Sequence, residues 1–169
     1  MKILFHYSML NIGGAERSTQ RLVNLLVENG FEVVLVLNVG NGRLENKLDK
    51  RAKVVHFFPK PWKLWVMSQK SLFRKAFYLL LYGFPILVYT LLAFFKKLSF
   101  RFKSYDAAII SLQGLDPSFV CNYVRAKRKY LYLRNDLSQL KKTQIAKNIL
   151  TYNHLLDGYL CVSGTVKES

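Results

Sequence analysis

Apolar and polar positions along this chain follow two periods in turn. Ile3-Leu4-Phe5-His6-Tyr7 is a short, nearly unbroken apolar run that stops at Asn11-Ile12-Gly13-Gly14. Over residues 15–29 the spacing becomes helical, with Leu22, Leu25 and Leu26 on one face. Asn29-Gly30 then ends that helix with residue types that tolerate a left-handed cap. Residues 32–38 are continuous and β-branched, as a buried parallel strand requires. A short helix is predicted over 44–50. A third strand follows over 52–58, closed by Pro59 and Pro61.

After an interruption the alternation resumes. Residues 106–112 give a fourth strand and 117–126 a helix, with Asp116 placed to cap it and Pro117 at its first position. Residues 129–134 give strand five, 137–156 a long helix and 158–163 strand six. This alternation predicts an α/β fold, a Rossmann-like parallel sheet with helices on both faces. Ligands of such sheets bind outside the carboxyl ends of the strands. Here those ends begin at Tyr7, Asn38, Phe58, Leu112, Arg134 and Ser163. Strand six lacks a covering helix within the sequence, so residues 1–169 are expected to be one half of a longer protein.

The interruption between strands three and four is an apolar and basic insertion over 62–103. Its residues 76–95 carry no charge, enough length to span a bilayer as one helix. A single span would put strands one to three and strands four to six on opposite sides of the membrane, where they could not share a sheet. Pro85 also removes a helical hydrogen bond near the middle of the run. The expected form is a helix pair or a broken helix that enters one leaflet or packs on the sheet. Trp62, Trp65, Tyr78, Tyr82 and Tyr89 suit a membrane rim, and Arg74, Lys75, Lys96 and Lys97 flank the run as cations for anionic headgroups.

Charge sharpens this picture. Lys plus Arg number 26 against 10 Asp plus Glu, a formal net charge of +16. Twelve of those cations lie between Lys50 and Tyr105 with no acid among them, and eight more lie over 125–147 with only Asp136 opposing. Such a surface draws phospholipid headgroups, nucleic acid or phosphorylated substrates. No nucleic-acid-binding motif accompanies the charge, so the expected partner is an anionic membrane surface and not nucleic acid. The expected location is cytoplasmic, peripheral on the inner face of the cell membrane. Cys121 and Cys161 sit in apolar runs and read as reduced thiols. No His, Cys or carboxylate set has metal-ligand spacing, so no bound metal is expected.

The chemistry points to the first turn. Consecutive glycines, Gly13-Gly14, let a ligand approach the backbone closely, and the following helix N-terminus offers free N–H groups to a phosphate. Neither G-x-G-x-x-G nor the phosphate loop ending in Gly-Lys-Ser/Thr is present, which argues against NAD enzymes and nucleoside triphosphatases. His6 either reaches the cleft or is a satisfied core residue. Ser111 and Gln113 after strand four either donate to a ligand's hydroxyls or cap the turn. His56 and His154 read as structural.

Taken together, several segments resemble the N-terminal domain of family-four retaining glycosyltransferases of the GT-B fold. They are Lys2-Ile3-Leu4-Phe5-His6-Tyr7, Gly13-Gly14-Ala15-Glu16-Arg17, Glu28-Asn29-Gly30-Phe31-Glu32-Val33, the strand Lys103-Ser104-Tyr105-Asp106-Ala107-Ala108-Ile109-Ile110-Ser111, Tyr132-Leu133-Arg134-Asn135-Asp136-Leu137 and Leu156-Asp157-Gly158-Tyr159-Leu160-Cys161-Val162-Ser163. Their order and spacing cover nearly the whole chain except 62–100. The resemblance implies a two-domain enzyme moving a sugar from a nucleotide-sugar to an acceptor with retention, and no cofactor besides that donor substrate. The N-terminal half would bind a lipid-linked or polysaccharide acceptor. The C-terminal half, with its Glu-x7-Glu motif, would hold the nucleotide. Gly13 and Gly14 would face the donor diphosphate, while His6, Ser111, Gln113, Arg134 and Asp136 would face the acceptor. The family often has His where this chain has Arg134, which can clamp a phosphate or carboxylate or pair with Asp136 at the surface. A rival expectation is a non-catalytic membrane-anchoring subunit paired with a separate donor-binding protein.

Overall fold

The computed structural model describes residues 1–59, 71–111, 115–133 and 144–161, without the side chains of 75, 79 and 144–146. The apolar runs pair as strands: β1 Lys2–Tyr7, β2 Glu32–Val39, β3 Lys53–Phe58, β4 Ser104–Ile110, β5 Arg125–Leu133 and β6 Gly158–Cys161. Every neighbouring pair is parallel, in the order β3-β2-β1-β4-β5-β6. Parallel strands need long crossovers. These contain α1 Gly14–Glu28, α2 Leu72–Ser99, α3 Ser118–Tyr123 and α4 Gln144–Tyr152. The expected α/β sheet with an apolar helical insertion between strands three and four is therefore the architecture.

Alternation along the strands divides the core between two faces. Leu4, Val34, Val36 and Ala108 pack on one side with Phe57, Phe119 and Ile149. Ile3, Phe5, Val33, Leu35 and Leu37 pack on the other, where α1 contributes Val23 and Val27. Each large aliphatic side chain removed from water this way contributes about 2 kcal/mol. Helices thus cover both faces, with α1 on one and α3, α4 and the end of α2 on the other.

Five elements differ from expectation. The insertion holds no broken helix or helix pair over 72–99: α2 is one continuous 28-residue helix with Pro85 inside it. Proline removes one hydrogen bond and favours a bend, a loss that so long an apolar helix absorbs. The helix expected over 117–126 ends at Tyr123, and β5 starts at Arg125 instead of 129. Val124 is already extended and buried. The strand gains parallel partners from Ser104 opposite Arg125 onward, and Lys127 pairs with Asp106 at 2.7 Å. Because β6 pairs only from Tyr130, the preceding basic residues of β5 line a charged edge that discourages strand addition. The helix expected over 44–50 is a 3-10 turn, Glu45–Lys47. Of the helix expected over 137–156, α4 runs from Gln144 to Tyr152 and a 3-10 turn, Asn153–Leu155, follows. Residues 137–143 lie outside the described residues.

Candidate functional site

Parallel pairing brings the ends of the strands, Tyr7, Val39, Phe58, Ile110, Leu133 and Cys161, to one edge. The chain leaves β1 toward α1 on one face and leaves β4 toward α3 on the other. Strand order therefore reverses between β1 and β4, and the diverging connections leave a crevice there, the usual ligand position in open α/β sheets.

Gly13 and Gly14 sit on the rim of this crevice. Gly13 caps α1 with extended backbone, and the first helical bond runs from the Arg17 N–H to the Gly13 carbonyl at 3.0 Å. The N–H groups of the first turn have no intrahelical acceptor, so α1 presents donors and a positive dipole end at the rim. Neither glycine has a left-handed φ. What they provide is space: a Cβ on Gly14 would enter open solvent, whereas one on Gly13 would collide with the Glu16 carboxylate. Glu16 in the first turn complements the dipole and lies beside Gly13, so an anion binding here meets this carboxylate first.

The turn rests on its neighbours. The Leu44 N–H donates to the Leu10 carbonyl at 2.9 Å, and the Val39 N–H to the Ser8 carbonyl at 3.0 Å. The Gly42 N–H donates to Glu45 Oε1 at 2.6 Å, and His56 Nε2 meets Glu45 Oε2 at 2.8 Å. Gly42 lies so close to the Leu10 backbone that a Cβ there would collide with it. Backbone cannot swing aside as a side chain can, so Gly42→Ala is expected to destabilise the domain by about 2 kcal/mol. Gly13→Ala needs only a movement of Glu16 and is expected to cost less than half as much. Urea unfolding of both variants checks the difference.

At the carboxyl ends of β1 and β4 lie His6, 2% exposed, and Ser111, 1% exposed. The sequence left His6 open between cleft and core, and the side chain lies in the core layer. Its ring stands edge-on to Phe119 at 4.8 Å and Phe57 at 6.3 Å between centroids. His6 Nε2 lies 2.9 Å from Asn38 Oδ1, so Nε2–H donates and Nδ1 carries a bare lone pair. Ser111 donates its N–H to the His6 carbonyl at 2.9 Å. His6 Nδ1 and Ser111 Oγ are buried without hydrogen-bond partners among the described residues. Two unsatisfied groups at the switch point suit a ligand hydroxyl or water better than an apolar neighbour.

Burial pushes the His6 imidazole down to about 4, with the Asn38 hydrogen bond opposing and the Lys97 ammonium reinforcing the shift. Only the unfolded chain takes up this proton as pH falls below about 6.5. His6 therefore contributes stability above that pH which is lost on acidification toward pH 4, by about 3 kcal/mol in all. His6→Gln, able to keep the Asn38 bond, should flatten this slope in urea unfolding followed across that pH range.

Lys97 and Lys96, expected as membrane contacts, anchor the root of α2 to β3. Lys97 Nζ lies 5.3 Å from the Phe57 ring centroid, and Lys96 Nζ donates to the His56 carbonyl at 2.9 Å. Arg74 is exposed near the far end of the helix. The side chain of Lys75, and Trp62, Trp65, Gln113, Arg134, Asp136 and Ser163 altogether, lie outside the described residues. Asp116 accepts from the Ser118 N–H at 2.9 Å at the start of α3, close to its expected capping role. The sequence reading missed Asn38, which orients His6, although a polar residue in the apolar run of β2 was a visible signal. Glu16, expected as a cap or helix-dipole partner near this edge, is in the first turn of α1; its approach to Gly13 depends on a side-chain conformation that spacing does not encode. Among the described residues no three His, Cys, Asp or Glu side chains form a metal-binding group.

No protein-family model matches the chain, and no curated protein does. Two solved structures are similar in outline. TcCGT1 in complex with UDP is 15% identical with a TM-score of 0.44, over 92% of this chain and 31% of that one. The E. coli heptosyltransferase WaaC with ADP-2-deoxy-2-fluoro heptose is 13% identical with a TM-score of 0.44, over 99% of this chain and 45% of that one. The chain spans less than half the length of either.

Proposed function

We propose that residues 1–169 are the N-terminal, acceptor-binding half of a family-four retaining glycosyltransferase. It would transfer a sugar from a nucleotide-sugar to a lipid-linked or polysaccharide acceptor at the inner surface of the cell membrane. One observation carries the reading: Gly13-Gly14 open the helix that follows β1, and the buried His6 and Ser111, each with an unsatisfied polar atom, lie at the carboxyl ends of β1 and β4, the neighbouring strands between which the order reverses. In this reading α1 holds the donor diphosphate with backbone N–H groups, and Gly14 leaves room for it. Glu16 swings out as the phosphate arrives. Neutral His6 accepts a hydrogen bond at Nδ1 from an acceptor hydroxyl, directly or through water, and Ser111 donates one. Gln113, Arg134 and Asp136 follow β4 and β5 in sequence and complete the acceptor side. The donor-binding domain with its Glu-x7-Glu motif supplies the nucleotide contacts, so these residues alone turn nothing over.

The test is sugar transfer by the full gene product. Tritiated UDP- and GDP-sugars are incubated with it and vesicles of host lipid. Label is expected in the lipid or polysaccharide fraction, and label confined to the nucleotide-sugar and free sugar overturns the reading. The exposed apolar face of α2 favours one alternative, a non-catalytic membrane-anchoring subunit. A reading frame that continues into a Glu-x7-Glu domain decides for the enzyme. Transfer that requires a second, separately encoded protein decides for the anchor.

A further inference from the structure

The stretch Leu80–Phe102 is long and apolar enough to cross a membrane, yet only 6% of its most apolar window is buried in the fold. Phe73, Phe77, Leu80, Phe84, Leu87 and Leu91 are all exposed. Their spacing of three, four or seven residues places them on one helical stripe. Opposite them, Tyr82, Ile86, Tyr89 and Ala93 form the more covered stripe, and Ala93 reaches the core. An exposed apolar stripe along the whole of a helix marks an interaction surface. The surrounding charge selects the partner, because 50–105 contains twelve cations and no acid.

Topology decides how the helix meets lipid. The crossover returns from the carboxyl end of β3 to the amino end of β4, so α2 runs antiparallel to the strands. At 28 residues it is about 42 Å long, against about 23 Å for β4. Its last turns are rooted on β3 by Lys96 and Lys97 and in the core by Ala93, which leaves a surplus over the strand of about 19 Å, residues 72–84, on the side of the carboxyl edge. If that surplus stood upright in a bilayer, Leu72 would end inside a hydrocarbon core about 30 Å thick. Only thirteen residues, 59–71, join Phe58 to Leu72, and they include three lysines and two prolines. They would have to run back through the hydrocarbon, carrying those lysines and, as extended chain, unsatisfied backbone groups into it.

We infer that α2 lies in the plane of a single leaflet of an anionic bilayer, with the Phe73-to-Leu91 stripe toward the acyl chains, and does not span it. This refines the membrane-surface reading above and rests on it. The bilayer then lies along the α2 face of the sheet. The crevice opens at headgroup level beside His6, where an acceptor carried by a lipid arrives laterally.

The test reads depth at three points on the stripe. Phe77→Cys, Phe84→Cys and Leu91→Cys are made singly with Cys161→Ala and labelled with an environment-sensitive fluorophore. Burial pushes the Cys121 thiol up to about 11 and keeps it unreactive. Vesicles are equimolar phosphatidylglycerol and phosphatidylcholine, with a nitroxide near the headgroup or near the acyl terminus. All three positions are expected to be quenched more by the shallow nitroxide, in the same ratio. A ratio that changes along the series, at about 10 Å of depth per seven residues, means a tilted or upright helix and overturns the inference while leaving membrane attachment standing. No vesicle-dependent change in emission overturns both. A change that follows protein concentration without vesicles assigns the face to a second copy and also overturns it. None of these outcomes bears on sugar transfer, which the assay above judges separately.

Discussion

Gly14→Val is expected to leave the domain folded and to cut sugar transfer by the full gene product at least a hundredfold. Gly14 is the first residue of α1, has no left-handed φ and faces open space. Valine meets no steric penalty there, and replacing glycine inside a helix is neutral or favourable, by a few tenths of a kcal/mol. Thermal unfolding should therefore not move downward. The two new methyl groups, however, fill the space through which a diphosphate reaches the N–H groups of the first turn. Losing that approach costs roughly 3 kcal/mol of binding, which is the hundredfold loss. The measurement is kcat/KM for the donor alongside the unfolding midpoint. A variant that keeps both shows that this glycine serves chain geometry and not a ligand. Gly42→Ala provides the contrast, since it should lower stability through backbone collision while leaving the rim of the crevice free.

The second large effect concerns α2. Leu80, Phe84, Leu87 and Leu91 are 86%, 76%, 58% and 52% exposed. Their combined replacement by Gln removes no core contact and keeps a good helix former at every position. If the stripe enters lipid, each substitution withdraws roughly 1 kcal/mol of apolar burial. The total of about 4 kcal/mol is a loss of about a thousandfold in affinity for anionic vesicles. Sedimentation with phosphatidylglycerol vesicles checks this, and circular dichroism checks that the helix persists. Unchanged sedimentation would show that the cations alone hold the chain to lipid.

Much of this molecule is legible in its sequence. The strands are legible because β1 and β2 are flanked on both sides in a parallel sheet, so their residues must be apolar throughout, as Val33, Val34, Leu35 and Val36 are. The carboxyl edge follows from that alternation, and with it the position of Gly13-Gly14. The insertion was legible as apolar and basic but not in its shape. Pro85 weighs heavily in a local reading, yet one lost hydrogen bond is small beside the many retained by a helix of this length. The start of β5 was misplaced for a related reason. Arg125 reads as a helix end and Lys127 and Arg128 as the link to the strand, whereas the pairing of β5 with β4 carries their backbone and the open edge exposes their charges. His6 could not be assigned from sequence, because its state depends on Asn38, Phe57, Phe119 and Lys97. They come from four different elements brought together only by the fold.

If the first turn of α1 holds a diphosphate, its backbone amides report the binding through their chemical shifts. The 169-residue chain is labelled with nitrogen-15 and titrated with UDP, with inorganic pyrophosphate as the simpler probe. The amides of Gly13, Gly14, Ala15 and Glu16 are predicted to move together and saturate, with Ser111 following, and all of these responses should vanish in Gly14→Val. Saturating shifts elsewhere, with those four amides unmoved, would contradict the account.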